Sequence, residues 1–257
     1  MGATEDAASR RPTPHRDIGA PYVGSSTAPG GSGDAEATWA LLVAAGAGER
    51  LGLDRPKAFA ELRGRPLLAE SLERLDLSPW IDAIVVAAPN GWEEPVILLA
   101  EELAASKVVS CVTGGASRAE SVRAALADVD EGALVVLVHD AARPLLEDQV
   151  VERVLGPLAE GFDGVVPAVP VSDTVKRVEG GVVAETLARD GLVAAQTPQA
   201  FLAPTLRRAF EGELAGVTDC ASLVERRGGR VAVVDGDPRL FKVTTAADLA
   251  LVEVLLA

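Results

Sequence analysis

Apolar runs too continuous for half-buried strands recur along this chain, separated by segments with helical spacing. The runs are Trp39–Ala44, Ile81–Ala87, Val108–Val112, Leu134–Val138 and Gly164–Ala168. Between them, Leu67–Leu75, Glu93–Ala105, Arg118–Val129 and Leu146–Ala159 read as helices. Later come helices around Pro204–Phe210 and Ala221–Glu225, strands Val231–Val234 and Phe241–Val243, and a last helix Ala246–Leu256. A strand that is apolar on both sides needs cover on both sides. The predicted fold class is therefore α/β, a mostly parallel central sheet with helices on both faces.

Two stretches fall outside this alternation. Residues 1–37 hold Pro12, Pro14, Pro21, Pro29 and a Gly30-Gly31-Ser32-Gly33 string, with no apolar periodicity. They offer too little apolar surface to offset the entropy of ordering, which predicts a disordered tail. A transit peptide is the competing assignment, opposed by Glu5, Asp6 and Asp17. The rest, 38–257, is predicted to be one domain. Within it, about 171–191 carries short β-like stretches around Gly180-Gly181. Val182, Val183 and Leu187 are apolar there, in a segment too small for its own core. A projecting arm used in dimerisation would bury them; a simple surface hairpin is the alternative.

Composition narrows the function classes. The 257 residues carry a net charge of −14, which disfavours nucleic acid and anionic membrane as partners. Hydrophobic residues make up 48%, enough for a sizeable core. Two cysteines, Cys111 and Cys220, form no CxxC, and with His15 and His139 they make no zinc pattern. Neither a membrane-spanning run nor a signal-peptide core is visible, so the cytoplasm is the expected compartment.

Three clusters carry chemistry. The first is the loop Ala45-Gly46-Ala47-Gly48-Glu49-Arg50 after the first strand, with Pro56-Lys57 downstream. Glycine lets backbone amides approach phosphate, while Arg50 and Lys57 can clamp a triphosphate and offset transition-state charge. The lysine lacks a G-K-[ST] context, which argues against a P-loop, and the glycine spacing departs from G-x-G-x-x-G. The second is Gly114-Gly115-Ala116-Ser117-Arg118, then Ser121, at a helix start. There Gly115 can lie against a base and Ser121 can reach a ring substituent; ordinary capping by Ser117 is the rival.

The third cluster, Val138-His139-Asp140-Ala141-Ala142-Arg143-Pro144, ends a central strand, where open sheets bind ligands. Asp140 is the predicted metal ligand, suited to Mg²⁺ or another divalent cation arriving with a nucleotide. His139 is assigned to orientation or packing. Arg143 fixes the loop or a phosphate, or makes a structural salt bridge. Thr174 and Arg189, in or beside the arm, suit a substrate phosphate across a subunit boundary, with a salt-bridged hairpin as the alternative. Gln196-Thr197-Pro198-Gln199 reads as a rigid turn. Thr218 or Asp219 is placed near a ligand at a capped helix start, and Lys242 is a second phosphate-side cation. Cys220 is read as a buried neutral thiol.

In this order and spacing, A-A-G-A-G-E-R-L, P-K-A-F, G-G-A-S-R-A-E-S-V, V-H-D-A-A-R-P, P-V-S-D-T-V-K, Q-T-P-Q-A-F, T-D-C-A-S and F-K-V-T resemble the 2-C-methyl-D-erythritol 4-phosphate cytidylyltransferase family, from about Trp39 to Leu256. The resemblance implies a Rossmann-like nucleotidyltransferase fold and a homodimer joined by a protruding β-arm. It implies transfer of a cytidylyl group from CTP to 2-C-methyl-D-erythritol 4-phosphate, with Mg²⁺, in non-mevalonate isoprenoid synthesis. It matches Arg50 and Lys57 to the phosphate-stabilising pair and Gly115, Arg118 and Ser121 to the cytosine side. Asp140 matches the metal ligand, and Thr174, Arg189 and Lys242 match the methylerythritol phosphate groups. The chain departs from the pattern at Cys220, where many members are acidic, and at Leu240, where some carry Asn. A pentitol-phosphate cytidylyltransferase using ribitol phosphate is the nearest alternative activity, and a non-catalytic nucleotide sensor is the alternative of another class.

Overall fold

The computed structural model describes residues 37–46, 48 and 51–257. The expected tail up to residue 36, and Ala47 and Arg50 of the glycine loop, lie outside the described residues. In chain order these form β1 (Thr38–Val43), a short hairpin of β2 (Glu61–Leu62) and β3 (Arg65–Pro66), α1 (Leu67–Leu77), β4 (Ala83–Ala88), α2 (Glu93–Glu102) and β5 (Val108–Thr113). Then follow α3 (Arg118–Leu126), β6 (Val135–Asp140), α4 (Asp148–Ala159), β7 (Gly164–Pro170), β8 (Val175–Glu179) and β9 (Val182–Leu187). The last elements are β10 (Val193–Ala195), β11 (Gln199–Leu202), α5 (Ala203–Phe210), α6 (Cys220–Arg226), β12 (Val231–Asp235) and α7 (Ala246–Leu255).

The fold is a mostly parallel sheet with helices on both faces. Its strands run β5-β4-β1-β6-β11-β7, with β10 and β12 also pairing β7. β1 is parallel to both β4 and β6, and β12 is parallel to β7. Antiparallel pairing is confined to β10 and β11 within this sheet. Those two strands are one broken strand: β10 pairs the end of β7 and β11 pairs its start, with Gln196–Pro198 between them. The Thr197–Pro198 peptide is cis.

Alternation along the strands feeds two cores. In β6, Leu137 packs with Leu72, Val96 and Val154 beneath α1, α2 and α4. Val136 and Val138 pack with Val122, Leu206 and Leu223 beneath α3, α5 and α6. Fully burying an aliphatic side chain of this size stabilises by about 1.5–3 kcal/mol. The same alternation turns His139 toward the first face and Asp140 toward the second. Register sets Val43 beside Asp140, so the loop after β1 and the end of β6 leave the sheet together. That divergence on either side of a central strand pair is where open α/β sheets form a ligand crevice.

Two local expectations are corrected, and one element was not expected. Phe241–Val243 is not a strand: Val243 N–H donates to Ala142 O, and its carbonyl accepts from Lys57, so its polar groups serve a loop rather than a ladder. Gln196–Gln199 is more than a turn, since Gln199 begins β11. The β2–β3 hairpin, too short to show a period, joins Val243 and Val252 in a third small cluster. The segment from Val175 to Leu187 forms a separate two-stranded sheet, β8 against β9, turning at Gly180 and Gly181 with φ of 57° and 83°.

Candidate active site

After β1 the chain turns at Ala44–Gly46. Gly48 has φ of 77°, and a Cβ there would fall 2.7 Å from the Lys57 Cβ. Glycine thus lets the loop lie directly on the short 3-10 turn Lys57–Phe59. Lys57 N–H donates to Gly46 O at 3.3 Å, and the Phe59 ring sits 4.4 Å from that of Trp92. The Lys57 ammonium donates to Val243 O at 2.9 Å. Proline at 56 blocks helix entry from upstream and leaves the lysine at the head of the turn.

Asp140 closes the opposite wall. Its Oδ1 accepts from Arg118 Nε at 2.8 Å and its Oδ2 accepts from Lys242 Nζ at 2.7 Å. Burial alone would raise the carboxyl; the two cations outweigh it and hold Asp140 well below the usual carboxylate range. Burial likewise opposes the charge on Arg118, and Asp140 more than compensates. Arg118 also reaches Cys220 Sγ at 3.5 Å, and its buried Nη2 has no partner among the described residues. Burial pushes the Cys220 thiol up, so the sulfur is a neutral neighbour, as expected from the sequence.

The third wall is the start of α3. Ser117 caps the helix in a reciprocal box with Glu120, so the capping role holds. Ser121 Oγ accepts from Gly115 N–H at 3.1 Å and donates to Ser117 O at 2.9 Å. Ser121 therefore shapes the glycine turn as well as lining the cleft. A Cβ on Gly114 would fall 2.2 Å from the Ala45 Cβ, which brings the two glycine loops into contact.

Ala45, Gly46, Lys57, Gly115, Arg118, Ser121, Asp140 and Lys242 thus line one cleft of about 380 Å³. Beside it lies a second hollow of about 510 Å³, which shares Lys242 and adds Arg143, Ser172, Gln196 and Phe241. Arg143 donates to Leu240 O at 2.7 Å, holding the loop that carries Lys242. It makes no salt bridge among the described residues. Thr174 and Arg189 are exposed at the root of the β8–β9 hairpin and line neither hollow; Arg189 donates to Ser172 O. Thr218 is exposed just before the Asp219 cap and also stands outside both linings.

Among the described residues no three His, Cys, Asp or Glu side chains converge as a metal site. Asp140 is the one carboxylate that the described residues place in the main lining. Arg118 and Lys242 each hold one of its oxygens, so each oxygen would offer a cation one remaining lone pair, which fits an ion that brings its other ligands on a polyphosphate.

The polar side chains of Gln196, Thr197 and Gln199 were not singled out by the sequence reading. Gln196 pairs with both backbone groups of Asp237, and Gln199 bridges Asp219 and the Cys220 N–H. Thr197 Oγ1 meets the Asp140 N–H at 3.0 Å. The crowding of amide and hydroxyl side chains around one proline was the available signal.

A family model described as 2-C-methyl-D-erythritol 4-phosphate cytidylyltransferase matches residues 38–257. The chain belongs to this family. A member of that name from Frankia casuarinae is 46% identical over 219 residues, covering 85% of this chain and 80% of that one. The Nocardia farcinica cytidylyltransferase is 46% identical over 218 residues, covering 84% and 93%. The crystal structure of the Thermus thermophilus cytidylyltransferase superposes with a TM-score of 0.68 at 33% identity, covering 84% of this chain and 97% of that one. The sheet described above is thus the cytidylyltransferase sheet, and the matched segment starts where β1 starts.

Proposed function

We propose that residues 38–257 form the catalytic domain of an enzyme that transfers the cytidylyl group of CTP to 2-C-methyl-D-erythritol 4-phosphate, giving 4-diphosphocytidyl-2-C-methyl-D-erythritol and pyrophosphate. The observation that carries the site assignment is the convergence of Lys57, Asp140 and Lys242 on one cleft walled by two glycine loops. The glycine amides of 46 and 48 face the triphosphate, and the cytosine lies against Gly115 and Ser121. Gly114→Ala is expected to weaken CTP binding at least tenfold, through the clash with Ala45, with about 1–3 kcal/mol lost in stability. Titration calorimetry and thermal melts check the two effects separately.

An oxygen of the methylerythritol phosphate attacks the α-phosphorus of CTP, forming the new P–O bond as the bond to the bridging oxygen of pyrophosphate breaks. That phosphate oxygen is already a nucleophile and needs no base, which suits a buried His139 pushed down to about 4 by burial. Lys57, with Arg50 from the loop, stabilises charge on the phosphoryl oxygens and on the leaving pyrophosphate. Mg²⁺, held by Asp140, would add Lewis-acid stabilisation of the same charge. Lys242 and Arg143 bind the second substrate from the adjoining hollow. Most of the rate enhancement is positioning plus electrostatics.

Thr174 and Arg189 complete this site from a second copy of the chain, delivered by the β8–β9 arm. Apolar exposure on the arm supports that assembly: Val178 and Val183 face each other across the hairpin and are 56% and 54% exposed. Val178→Asp with Val183→Asp is expected to convert a dimer to monomers in analytical ultracentrifugation and to raise the KM for the alcohol phosphate at least tenfold. A dimer of wild-type affinity would remove the arm from the interface. Cys111 and Cys220 are both free thiols, which supports a cytoplasmic site of action.

The deciding experiment measures pyrophosphate release from CTP and Mg²⁺ with methylerythritol phosphate, with ribitol phosphate, and with no alcohol. Release confined to the first is the expected result. Release with ribitol phosphate alone would move the enzyme to the pentitol branch.

A further inference from the structure

We propose that Thr197 is a positioning residue for this reaction: through the His139 ring its hydroxyl ties the Asp140 backbone to the Arg143 backbone, so that both substrate walls are set by one hydrogen-bond chain. The proposal rests on the roles given to Asp140 and Arg143 above.

The chain is closed by donor and acceptor counting. The Arg143 carbonyl can only accept, so at 3.1 Å the His139 Nε2 must carry the proton. In the neutral ring Nδ1 is then an acceptor, and it lies 3.1 Å from Thr197 Oγ1. The threonine hydroxyl has one proton, which goes to Nδ1. Its oxygen is left to accept the Asp140 N–H at 3.0 Å. Every group in the sequence Asp140 N–H, Thr197 O–H, His139, Arg143 O is satisfied, and no other proton arrangement with a neutral ring satisfies them all.

Burial makes the chain stiff. His139 is 0% exposed, Thr197 4% and Asp140 6%. Losing a link therefore strands a buried donor or acceptor, which costs more than a surface hydrogen bond. Both ends matter to the site. The Asp140 N–H belongs to the residue whose carboxylate holds Arg118 and Lys242. The Arg143 carbonyl belongs to the residue whose guanidinium holds the Leu240 carbonyl, and hence the Lys242 loop. Thr197 itself lines neither the main cleft nor the adjoining hollow, so its influence is exerted through these neighbours.

The test compares wild type, Thr197→Val and Thr197→Ser in the full chain. The sequence contains two histidines, His15 and His139, so side-chain ¹⁵N NMR resolves the tautomer directly. We expect a fixed Nε2–H ring in wild type and in Thr197→Ser, and loss of the hydrogen-bonded Nδ1 shift in Thr197→Val. We expect kcat to fall about ten- to a hundredfold in Thr197→Val, since small misplacements of reacting groups cost that much. Thr197→Ser should stay within about threefold of wild type. If Thr197→Val does not fold, His139→Gln takes its place: it keeps a donor toward the Arg143 carbonyl and loses the acceptor for Thr197, and should lower kcat by a similar factor. Wild-type kcat in the folded Thr197→Val chain, or an Nδ1–H ring in wild type, would overturn the positioning role. A wild-type chain silent with CTP and methylerythritol phosphate would instead overturn the functional assignment, while the NMR comparison would still report whether the hydrogen-bond chain exists.

Discussion

Asp140→Asn is expected to lower kcat/KM for cytidylyl transfer by about a thousandfold, roughly 4 kcal/mol of transition-state stabilisation. The substitution keeps the side chain's shape and the backbone link to Thr197, so the loop stays in place. What it removes is the charge that the site is built around. Asp140 balances Arg118 and Lys242 across 2.8 and 2.7 Å contacts. The neutral amide leaves both cations uncompensated and offers a poorer donor to Mg²⁺. Steady-state kinetics against Mg²⁺ concentration check this, with circular dichroism as the control for folding. Activity within tenfold of wild type, at unchanged Mg²⁺ dependence, would remove Asp140 from the metal.

The same pairing has a pH consequence with a definite sign. The folded carboxyl lies below its ordinary value of 3.8. The ion pairs therefore stabilise the fold fully above that value, and the contribution is lost only as pH falls toward the depressed folded pKa. Acid denaturation of wild type should accordingly show a component below about pH 4 that Asp140→Asn lacks.

Lys57→Ala is expected to lower kcat by about a hundred- to a thousandfold, a larger effect than its cost in thermal stability. Lys57 lines the cleft beside Gly46, and its backbone contact to Gly46 does not depend on the side chain. The hydrogen bond to the Val243 carbonyl is lost, and Val243 is fully buried, so about 1–3 kcal/mol of stability goes with it. Lys57→Arg should not restore the rate, because a planar guanidinium fork does not take the place of a compact point charge. Turnover within tenfold of wild type in Lys57→Ala would reassign the transition-state charge to other groups. Arg50→Ala is expected to act in the same direction.

Much of this could be read along the chain because it depends on neighbours in sequence. Uninterrupted apolar runs predicted strands buried on both faces, and parallel β1, β4, β5 and β6 are found there. Capping by Ser117 was one of the two readings of its cluster, and Ser117 does cap α3. Glycines marked the turns, and at 48, 114 and 115 the close backbone approach excludes a Cβ. The glycine clusters, Lys57, Asp140 and Lys242 were picked out as chemistry-bearing, and Gly46, Gly115 and those three side chains line the cleft.

Tertiary structure decided what depends on partners far away in the chain. Arg118 and Lys242 lie 22 and 102 residues from Asp140, and no local pattern states that both would claim its oxygens. Phe241–Val243 has strand-like composition, but its hydrogen bonds go to Ala142 and Lys57, so it becomes a loop. Thr197 looked like part of a turn until β6 and the broken strand brought its hydroxyl onto Asp140, 57 residues earlier. Sequence by itself determined the layers, the turns and the residue types of the site, because propensity, periodicity and backbone sterics act over a few residues. Folding alone decided which charges pair and which hydroxyl aligns them, because electrostatic and hydrogen-bond partners are chosen by distance in space.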